Sequence, residues 1–263
     1  MNQQIEIMDT TLRDGEQTDG VSFSSFEKLQ ISRYLLEQLG VNRVEVASAR
    51  VSSGELETVQ QILSWANTKG VAPAIEILGF VDDGRSVDWI KSAGGQVINL
   101  LTKGSRKHCE WQLKKTLQEH VADIEKTVQY AVDQGLRVHV YLEDWSNGFL
   151  YSEDYVKEML FALVDMPVRR FMLPDTLGLL SPEEVRRGIE MAVNLFPDIH
   201  IDFHGHNDYG LATANCLAAV SAGAKGIHVA VNGLGERAGN SPLEAVVTAL
   251  HDKLKMNTSI HET

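Results

Sequence analysis

Specialised features are scarce in this chain. Its 263 residues include only two cysteines, Cys109 and Cys216, which lack the spacing of a zinc site or a disulfide framework, so we expect buried thiols in a reducing compartment. The sequence has no long apolar run and no basic segment after Met1. It therefore predicts neither a membrane span nor a signal peptide, and the cytoplasm is the expected location.

Positive charge is also scarce. The 24 Lys and Arg residues are outnumbered by 36 Asp and Glu residues, and the formal net charge is −12. A surface that binds nucleic acid or an anionic membrane needs a basic face, so the composition argues against both partners. The expected partner is a small molecule.

The chain does contain a regular alternation of strand and helix patterns. Short apolar or β-branched runs predict eight strands, at residues 5–8, 43–47, 74–80, 97–101, 137–142, 170–173, 200–203 and 226–231. Helical stretches follow at 26–39, 56–69, 87–93, 121–134, 153–165, 182–196, 211–222 and 242–254. This order predicts parallel strands joined by crossover helices, and the length fits a single (β/α)8 TIM barrel over residues 1–263. An open doubly wound sheet is the alternative, but residues 9–14 do not form its nucleotide loop.

Polar residues concentrate at the predicted carboxyl ends of the strands, where a barrel builds its active site. His204 and His206 are one residue apart, so a strand points both imidazoles to the same side. The other strand ends carry Arg13, Asp14, Glu45, Glu143, Asp144, Asp175, Thr176 and Asn232. Imidazole, carboxylate and amide oxygen groups without thiolates suit a divalent cation such as Mg, Mn or Zn. Such a cation polarises the carbonyl of a chelating 2-oxo acid, and Arg13 is placed to stabilise charge on the carbonyl oxygen.

Four segments carry a resemblance to a known family. They are Asp9-Thr-Thr-Leu-Arg-Asp-Gly-Glu-Gln17, Leu173-Pro-Asp-Thr-Leu-Gly178, His204-Gly-His-Asn-Asp208 and Asn232-Gly-Leu-Gly-Glu-Arg-Ala-Gly-Asn240. Their order resembles that in the 2-isopropylmalate, homocitrate and citramalate synthases, and most of all a 2-isopropylmalate synthase catalytic domain. The resemblance implies a homodimeric acyltransferase that condenses acetyl-CoA with a 2-oxo acid in a metal-dependent Claisen reaction, as in leucine biosynthesis.

The resemblance also implies the metal ligands. Asp14, His204, His206 and Asn240 match the ligand positions of the family, so Asn240 replaces Asn232 as the expected amide ligand. Asn232 then either positions its loop or contacts a ligand. The expected 2-oxo acid is 2-oxoisovalerate or pyruvate.

Four other site residues follow from the same resemblance. Arg13 matches the arginine that contacts the keto oxygen, and Thr176 matches the hydroxyl that holds the substrate carboxylate. Glu143 resembles a glutamate linked with acid/base catalysis, although a solvated loop carboxylate is the alternative. Glu45 lies where the family has an acidic residue beside the metal, or it simply pairs with Arg13.

Several polar features have ordinary structural interpretations. We expect His139, His200 and His228 to be packed or hydrogen-bonded core residues. The glycines between residues 232 and 240 either let backbone N–H groups approach a bound anion or only form a tight turn. Five basic residues, Lys103, Arg106, Lys107, Lys114 and Lys115, are expected to form a solvated face, with the phosphates of coenzyme A as the alternative ligand.

Two other functions fit the same barrel. Related lyases cleave 3-hydroxyacyl-CoA compounds, but their glycine loop carries a reactive cysteine, which residues 232–240 lack. A catalytically silent barrel that binds a metabolite would not need the whole ligand set. Family synthases also continue into C-terminal subdomains that complete the neighbouring subunit's site. We expect this chain to lack them, with the general base supplied either from beyond Thr263 or by residues of the barrel itself.

Overall fold

Eight parallel strands close into one barrel, in which each strand pairs with the next and β8 pairs with β1. The computed structural model describes residues 4–261, so the ends of the predicted domain, residues 1 and 263, lie outside the described residues. The strands are β1 Glu6–Asp9, β2 Arg43–Ser48, β3 Ile75–Phe80, β4 Val97–Lys103, β5 Arg137–Glu143, β6 Val168–Asp175, β7 His200–Gly205 and β8 Gly226–Val229. The predicted (β/α)8 barrel is confirmed.

Helices surround the barrel. They are α1 Ser25–Arg33, α2 Ser53–Lys69, α3 Arg85–Ala93, α4 Leu117–Asp133, α5 Trp145–Tyr151, α6 Glu153–Val164, α7 Pro182–Leu195, α8 Ala212–Ser221 and α9 Leu243–Ala249. Wider π-helical turns extend α1 at Tyr34–Leu39 and α9 at Leu250–Leu254, and another forms His108–Leu113 before α4. Within residues 4–261, no helix combines the length and apolar character needed to cross a membrane.

Local capping chemistry fixes where several helices begin and end. Ser24 and Ser181 each form a complete capping box with the glutamate three residues later, and the Ser52 side chain accepts a bond from the Glu55 amide. Gly40 and Gly70 end their helices in the left-handed conformation, which glycine adopts without steric cost.

The structure differs from the sequence prediction at two helices. Helix α4 begins at Leu117 rather than residue 121, because Thr116 and Glu119 form a capping box upstream of the apolar pattern. Helix α5 is additional to the eight predicted helices. It follows Asp144, whose backbone is left-handed at φ 66°, and its Ser-Asn-Gly sequence is more typical of a loop.

A buried ionic network occupies the barrel interior near its amino-terminal end. Arg43 lies 2.6 Å from Asp202 and 3.3 Å from Glu76, and both acids are fully buried. Burial raises the pKa of Asp202, but the charges of Arg43 and Arg170 outweigh it and hold this pKa far below its usual range. The network therefore carries paired charges across several strands.

The three histidines assigned to the core all contact the acids of this network. His139 and His228 are buried, and His139 lies 3.3 Å from Glu76. His228 lies 3.1 Å from Asp202 and 3.0 Å from the Tyr141 hydroxyl. His200 is 2.9 Å from Asp202 at the start of β7. The expectation of hydrogen-bonded core histidines agrees with the contacts of His139 and His228. His200 departs from it, because its side chain is partly exposed and its Nε2 forms no hydrogen bond of normal geometry among the described residues. Burial of Cys109 and Cys216 agrees with the expectation for the thiols.

Helix α5 packs directly on the segment after β4, and this contact positions two loops of the mouth. A Cβ atom on Gly148 would lie 2.0 Å from the Gly104 carbonyl oxygen and 2.8 Å from Val156. A backbone atom cannot move aside as a side chain can. Only glycine therefore permits this approach.

We expect Gly148→Ala to lower the free energy of unfolding by about 1–3 kcal/mol or more, because the methyl group overpacks the contact. Urea unfolding measures the change. Gly54→Ala is the matched control, since its Cβ would meet only Ser52 Oγ at 3.8 Å, and we expect stabilisation of up to about 1 kcal/mol in this exposed helical position. Equal stability of Gly148→Ala and the unsubstituted chain would contradict the close packing.

Candidate active site and metal centre

One cavity of about 270 Å³ opens at the carboxyl ends of the strands. Its lining includes six of the predicted site residues: Arg13, Asp14, Glu143, Thr176, His204 and His206. Glu45 and Asn240 contact this set through hydrogen bonds to Arg13 and Asp14. The structure thus brings together all eight residues that the sequence had assigned to metal, substrate or catalysis.

The two histidines and Asp14 converge on one point. The Nε2 atoms of His204 and His206 are 3.2 Å apart, and Asp14 Oδ2 lies 3.8 Å from His204 Nε2. His204 lies within β7, and His206 follows its end and bridges to Asn240. Asp14 and both histidines are buried, and one ligand atom from each lies within 4.8 Å of the others.

Asn240 completes this cluster. Its amide nitrogen donates to Asp14 Oδ1 at 2.9 Å and to the Leu234 carbonyl at 2.8 Å. These bonds fix the orientation of the amide, while its buried Oδ1 has no partner among the described residues. An unsatisfied buried acceptor is costly, which indicates that something outside the chain binds it.

The protonation states suit a metal ion. Burial lowers the pKa of His204 far below its usual range, and it also lowers the pKa of His206, so both rings are neutral and carry lone pairs. Burial raises the pKa of Asp14, but Arg13, the two histidines and the hydrogen bond from Asn240 together outweigh burial, and the net pKa lies below its usual range. One carboxylate, two neutral imidazoles and an amide oxygen are a donor set that fits a divalent cation.

A buried ion pair holds Arg13 beside this cluster. Arg13 Nε donates to Glu45 Oε2 at 2.6 Å, and its Nη1 donates to Asp14 Oδ2 at 2.7 Å. Burial alone lowers the pKa of Arg13, but Glu45 and Asp14 raise it by more, so the guanidinium stays charged. The pairing of Glu45 with Arg13, one of its two interpretations, is the one that the contacts show.

Asn99 is a site residue that the sequence reasoning missed. Its amide nitrogen donates to Glu45 Oε1 at 2.7 Å, and its oxygen lies 3.2 Å from His139 Nδ1. An amide inside the otherwise apolar start of β4 was the available signal, because such a residue must find buried partners. Asn99 therefore holds the Glu45 carboxylate in place, and Glu45 in turn positions Arg13.

Glu143 and Thr176 face the cavity from β5 and the end of β6. Glu143 forms an ion pair with Lys103, the last residue of β4. The Thr176 hydroxyl accepts a bond from the Asp144 amide at 2.9 Å. Lys103 is thus paired within the chain, which argues against a role for it in binding the phosphates of coenzyme A.

The glycines after β8 are explained by packing around Asn240. A Cβ atom on Gly235 would lie 2.2 Å from the Asn240 amide nitrogen, and one on Gly239 would lie 2.1 Å from the Gly233 carbonyl oxygen. The turn interpretation therefore accounts for them without a bound anion. Asn232 lines a different groove, where its backbone N–H donates to the Glu244 carboxylate at 3.2 Å, so it positions the loop.

The basic residues after β4 are partly neutralised. Arg106 pairs with Asp154, and Lys115 pairs with Asp123. Together with the pairing of Lys103, these contacts agree with the expectation of an ordinary charged surface for most of the group.

Sequence comparison identifies the family of this barrel. Residues 4–263 match the sequence profile of the HMGL-like family. The chain belongs to the HMGL-like family. A "Probable 2-isopropylmalate synthase" of Ignicoccus hospitalis is 37% identical over 258 residues, which cover 98% of this chain and 62% of that protein. A "Putative (R)-citramalate synthase CimA" of Methanopyrus kandleri is 35% identical, with 98% of this chain and 49% of that protein covered.

Solved structures confirm the fold. The hydroxymethylglutaryl-CoA lyase of Pseudomonas aeruginosa superposes with a TM-score of 0.80 at 19% identity, over 99% of this chain and 89% of the lyase. This HMGL-like barrel spans about half to two thirds of the length of the curated synthase relatives, 49% and 62% in the two cases above.

The ligand cluster predicts a metal-dependent gain in stability. We expect excess Mn²⁺ or Zn²⁺ to raise the Tm by several degrees, because an ion that binds only the folded state stabilises it by about 2.7 kcal/mol at 100 times its Kd. His206→Ala should lose this shift, as measured by scanning calorimetry. His200→Ala, at the other end of the same strand, should keep it. An equal shift in both variants would place the ion elsewhere.

Proposed function

We propose that this HMGL-like barrel is the catalytic part of an acyltransferase that condenses acetyl-CoA with a 2-oxo acid in a metal-dependent Claisen reaction, giving a 2-alkylmalate-type product and CoA. The observation that carries the proposal is the convergence of Asp14, His204 and His206 beside the charged Arg13 at one cavity. Relatives named as 2-isopropylmalate and citramalate synthases support it.

Asp14, His204, His206 and Asn240 would hold the metal, Mg, Mn or Zn, which when bound acts as a Lewis acid on the 2-oxo acid. Arg13 supplies a second positive centre. Its Nε and Nη1 are taken up by Glu45 and Asp14, while Nη2 has no bond partner within residues 4–261. This nitrogen is left to donate to the keto oxygen as negative charge develops there.

Thr176 and Glu143 would act on the rest of the reacting groups. The Thr176 hydroxyl accepts from Asp144, so its own proton is free to bind the substrate carboxylate. Glu143 would belong to the network that removes a methyl proton from acetyl-CoA. The resulting enolate attacks the keto carbon, and water then cleaves the thioester to release CoA.

The cavity wall favours a 2-oxo acid with a small apolar side chain. Leu78, Phe80, Leu101 and Tyr141 line it opposite the polar groups. Burial raises the pKa of Tyr141 far above its usual range, so its hydroxyl stays neutral. Within residues 4–261, Arg13 is the only Lys or Arg that lines the cavity, so a second substrate carboxylate would meet no further basic side chain there. Pyruvate is the first candidate and 2-oxoisovalerate the second.

The lyase alternative has a specific observation against it. Its reactive loop cysteine is missing from residues 232–240, and Cys216 in α8 does not replace it. Burial raises the pKa of the Cys216 thiol to about 12, and this thiol lies 3.1 Å from Ser241 Oγ. A buried neutral thiol is inert.

Three expectations stay predictions. They are the homodimer, the cytoplasmic location and the contribution of further subdomains to the general base. Light scattering on the purified chain tests the first. The silent metabolite-binding barrel is the outcome if neither turnover nor metal-dependent 2-oxo acid binding occurs.

Release of free thiol from acetyl-CoA tests the function directly. We expect thiol release that requires a 2-oxo acid and Mg²⁺ or Mn²⁺, with pyruvate the best substrate and citramalate the product identified by mass spectrometry. If the chain alone is inactive, calorimetry should still show metal-dependent binding of pyruvate. Cleavage of 3-hydroxyacyl-CoA without condensation would replace the synthase by a lyase.

Arg13→Lys is the control variant for this assay. Lysine keeps the charge but loses the guanidinium geometry, so we expect turnover to fall by about 10²- to 10³-fold, the usual cost of losing one oxyanion donor. The metal-dependent Tm shift should persist. Unchanged turnover would remove Arg13 from the reaction.

The wall residue Leu101 should control side-chain selectivity. We expect Leu101→Ala to raise the ratio of kcat/KM for 2-oxoisovalerate to kcat/KM for pyruvate by about tenfold or more, since one or two methylene groups in such a pocket are worth about 1–3 kcal/mol. Competition between the two acids, read by product mass, measures the ratio. The proposed wall is wrong if the ratio does not change in a folded, active variant.

A further inference from the structure

A second cavity of about 360 Å³ adjoins the mouth, between the segment after β4 and helix α5. Its lining includes two aromatic side chains that are unusually exposed, Trp111 at 70% and Tyr151 at 81%. Ser105, Arg106, Lys107, Glu110, Asn147 and Ser152 supply the polar part. We name it the Trp111 cavity. Isolated exposed aromatics need no explanation, but two at one polar cavity form a surface suited to a flat heteroaromatic ring.

We propose that the Trp111 cavity binds the phosphorylated adenosine end of coenzyme A. This inference rests on the proposed function and names the position of its co-substrate. An adenine ring presents a face that stacks on Trp or Tyr, and such stacking contributes about 1–3 kcal/mol per base. The phosphates require a nearby cation.

Lys107 provides that cation. Of the two basic residues in the cavity, Arg106 is paired with Asp154 and lies 3.7 Å from Glu110. Lys107 is exposed and has no acidic side chain within ion-pairing distance in residues 4–261. On a chain with net charge −12, an unpaired lysine beside two exposed aromatics favours an anionic ring compound over a neutral one.

Hydrogen bonds through the buried Asp144 link the wall of the Trp111 cavity to the wall of the reaction site. Ser105 Oγ and Asn147 Nδ2 both donate to the Asp144 carboxylate, at 2.6 and 2.7 Å. The Asp144 backbone follows Glu143 and donates to Thr176, and both of these residues line the cavity of the metal cluster. A thioester at Glu143 and a nucleotide at Trp111 would therefore lie on either side of one buried aspartate, and the pantetheine arm would connect the two cavities.

Another cavity near the mouth lacks this combination. The cavity of about 460 Å³ beside α3 and α4 has one aromatic side chain in its described lining, Tyr130, and its charged residues balance: Asp82, Asp83 and Asp123 against Arg85, Lys115 and Lys126. In the Trp111 cavity, Arg106 and Lys107 outnumber Glu110, which leaves a net positive charge for phosphate groups. The charge distribution thus favours the Trp111 cavity as the nucleotide site.

Steady-state kinetics with two thioesters test the assignment. Acetyl-pantetheine reacts at the same carbonyl as acetyl-CoA but lacks the nucleotide. We expect Trp111→Ala and Tyr151→Ala each to raise the KM for acetyl-CoA by about fivefold or more, the lower end of the stacking contribution, with kcat/KM for acetyl-pantetheine unchanged. Lys107→Glu should also raise the KM for acetyl-CoA, and the increase should be larger at low salt, where charge repulsion is screened less. Phe26→Ala is the matched control, since Phe26 is 68% exposed on α1.

Direct binding separates failure of this site from failure of the proposed function. Calorimetry with coenzyme A requires no turnover, and we expect the same weakening in the Trp111, Tyr151 and Lys107 variants but not in Phe26→Ala. Thiol release with unaltered acetyl-CoA affinity in these variants would overturn the site and leave the function standing. Coenzyme A binding that the variants weaken, on a chain that neither condenses a thioester nor binds pyruvate in the presence of metal, would support the site and overturn the function. Absence of coenzyme A binding would overturn the site.

Discussion

The buried contact between Arg13 and Glu45 is the interaction on which the rest of the site depends. Glu45 is fully buried and receives one bond from Arg13 and one from Asn99. Removing one partner of a buried ion pair leaves an uncompensated charge, at a cost of about 3–5 kcal/mol. The pair fixes the guanidinium of Arg13, whose charge helps to keep Asp14 ionised. Asp14 in turn accepts a hydrogen bond from the side-chain amide of Asn240. This chain of hydrogen bonds connects β2 and β4, through Arg13 and Asp14 in the segment after β1, to the loop after β8.

The same barrel keeps its charges in two separate layers. Near the amino-terminal end, Arg43 and the acids around it neutralise one another. At the mouth, the polar groups retain unused capacity: Asn240 Oδ1 and Arg13 Nη2 have no partner among residues 4–261. Tyr141 lies between the two layers. Its hydroxyl is hydrogen-bonded to His228 on the amino-terminal side, and its ring lines the cavity at the mouth. The interior layer pairs its charges within the barrel, whereas the unpartnered acceptor and donor at the mouth lie among the residues of the ligand cluster, where a bound ligand can meet them.

The count and order of the strands were predictable because each strand is an apolar run bounded by turn residues. The metal cluster was predictable because a His-x-His pair on a strand fixes the direction of two rings, and the family resemblance supplied Asn240. The role of Asn99 was not predictable, because its hydrogen bond to Glu45 joins residues 54 positions apart and no local sequence pattern encodes such a contact. Helix α5 was missed because its start at a left-handed Asp144 and its Gly148 depend on tertiary packing against Gly104.

The central claim is that Asp14, His204, His206 and Asn240 jointly bind one divalent cation beside Arg13. Anomalous diffraction from crystals grown with Mn²⁺ and pyruvate tests it most directly. The account predicts one strong peak within bonding distance of the two Nε2 atoms, the Asp14 carboxylate and Asn240 Oδ1, with the pyruvate keto oxygen facing Arg13. A peak that omits these side chains, or pyruvate bound away from Arg13, would contradict it.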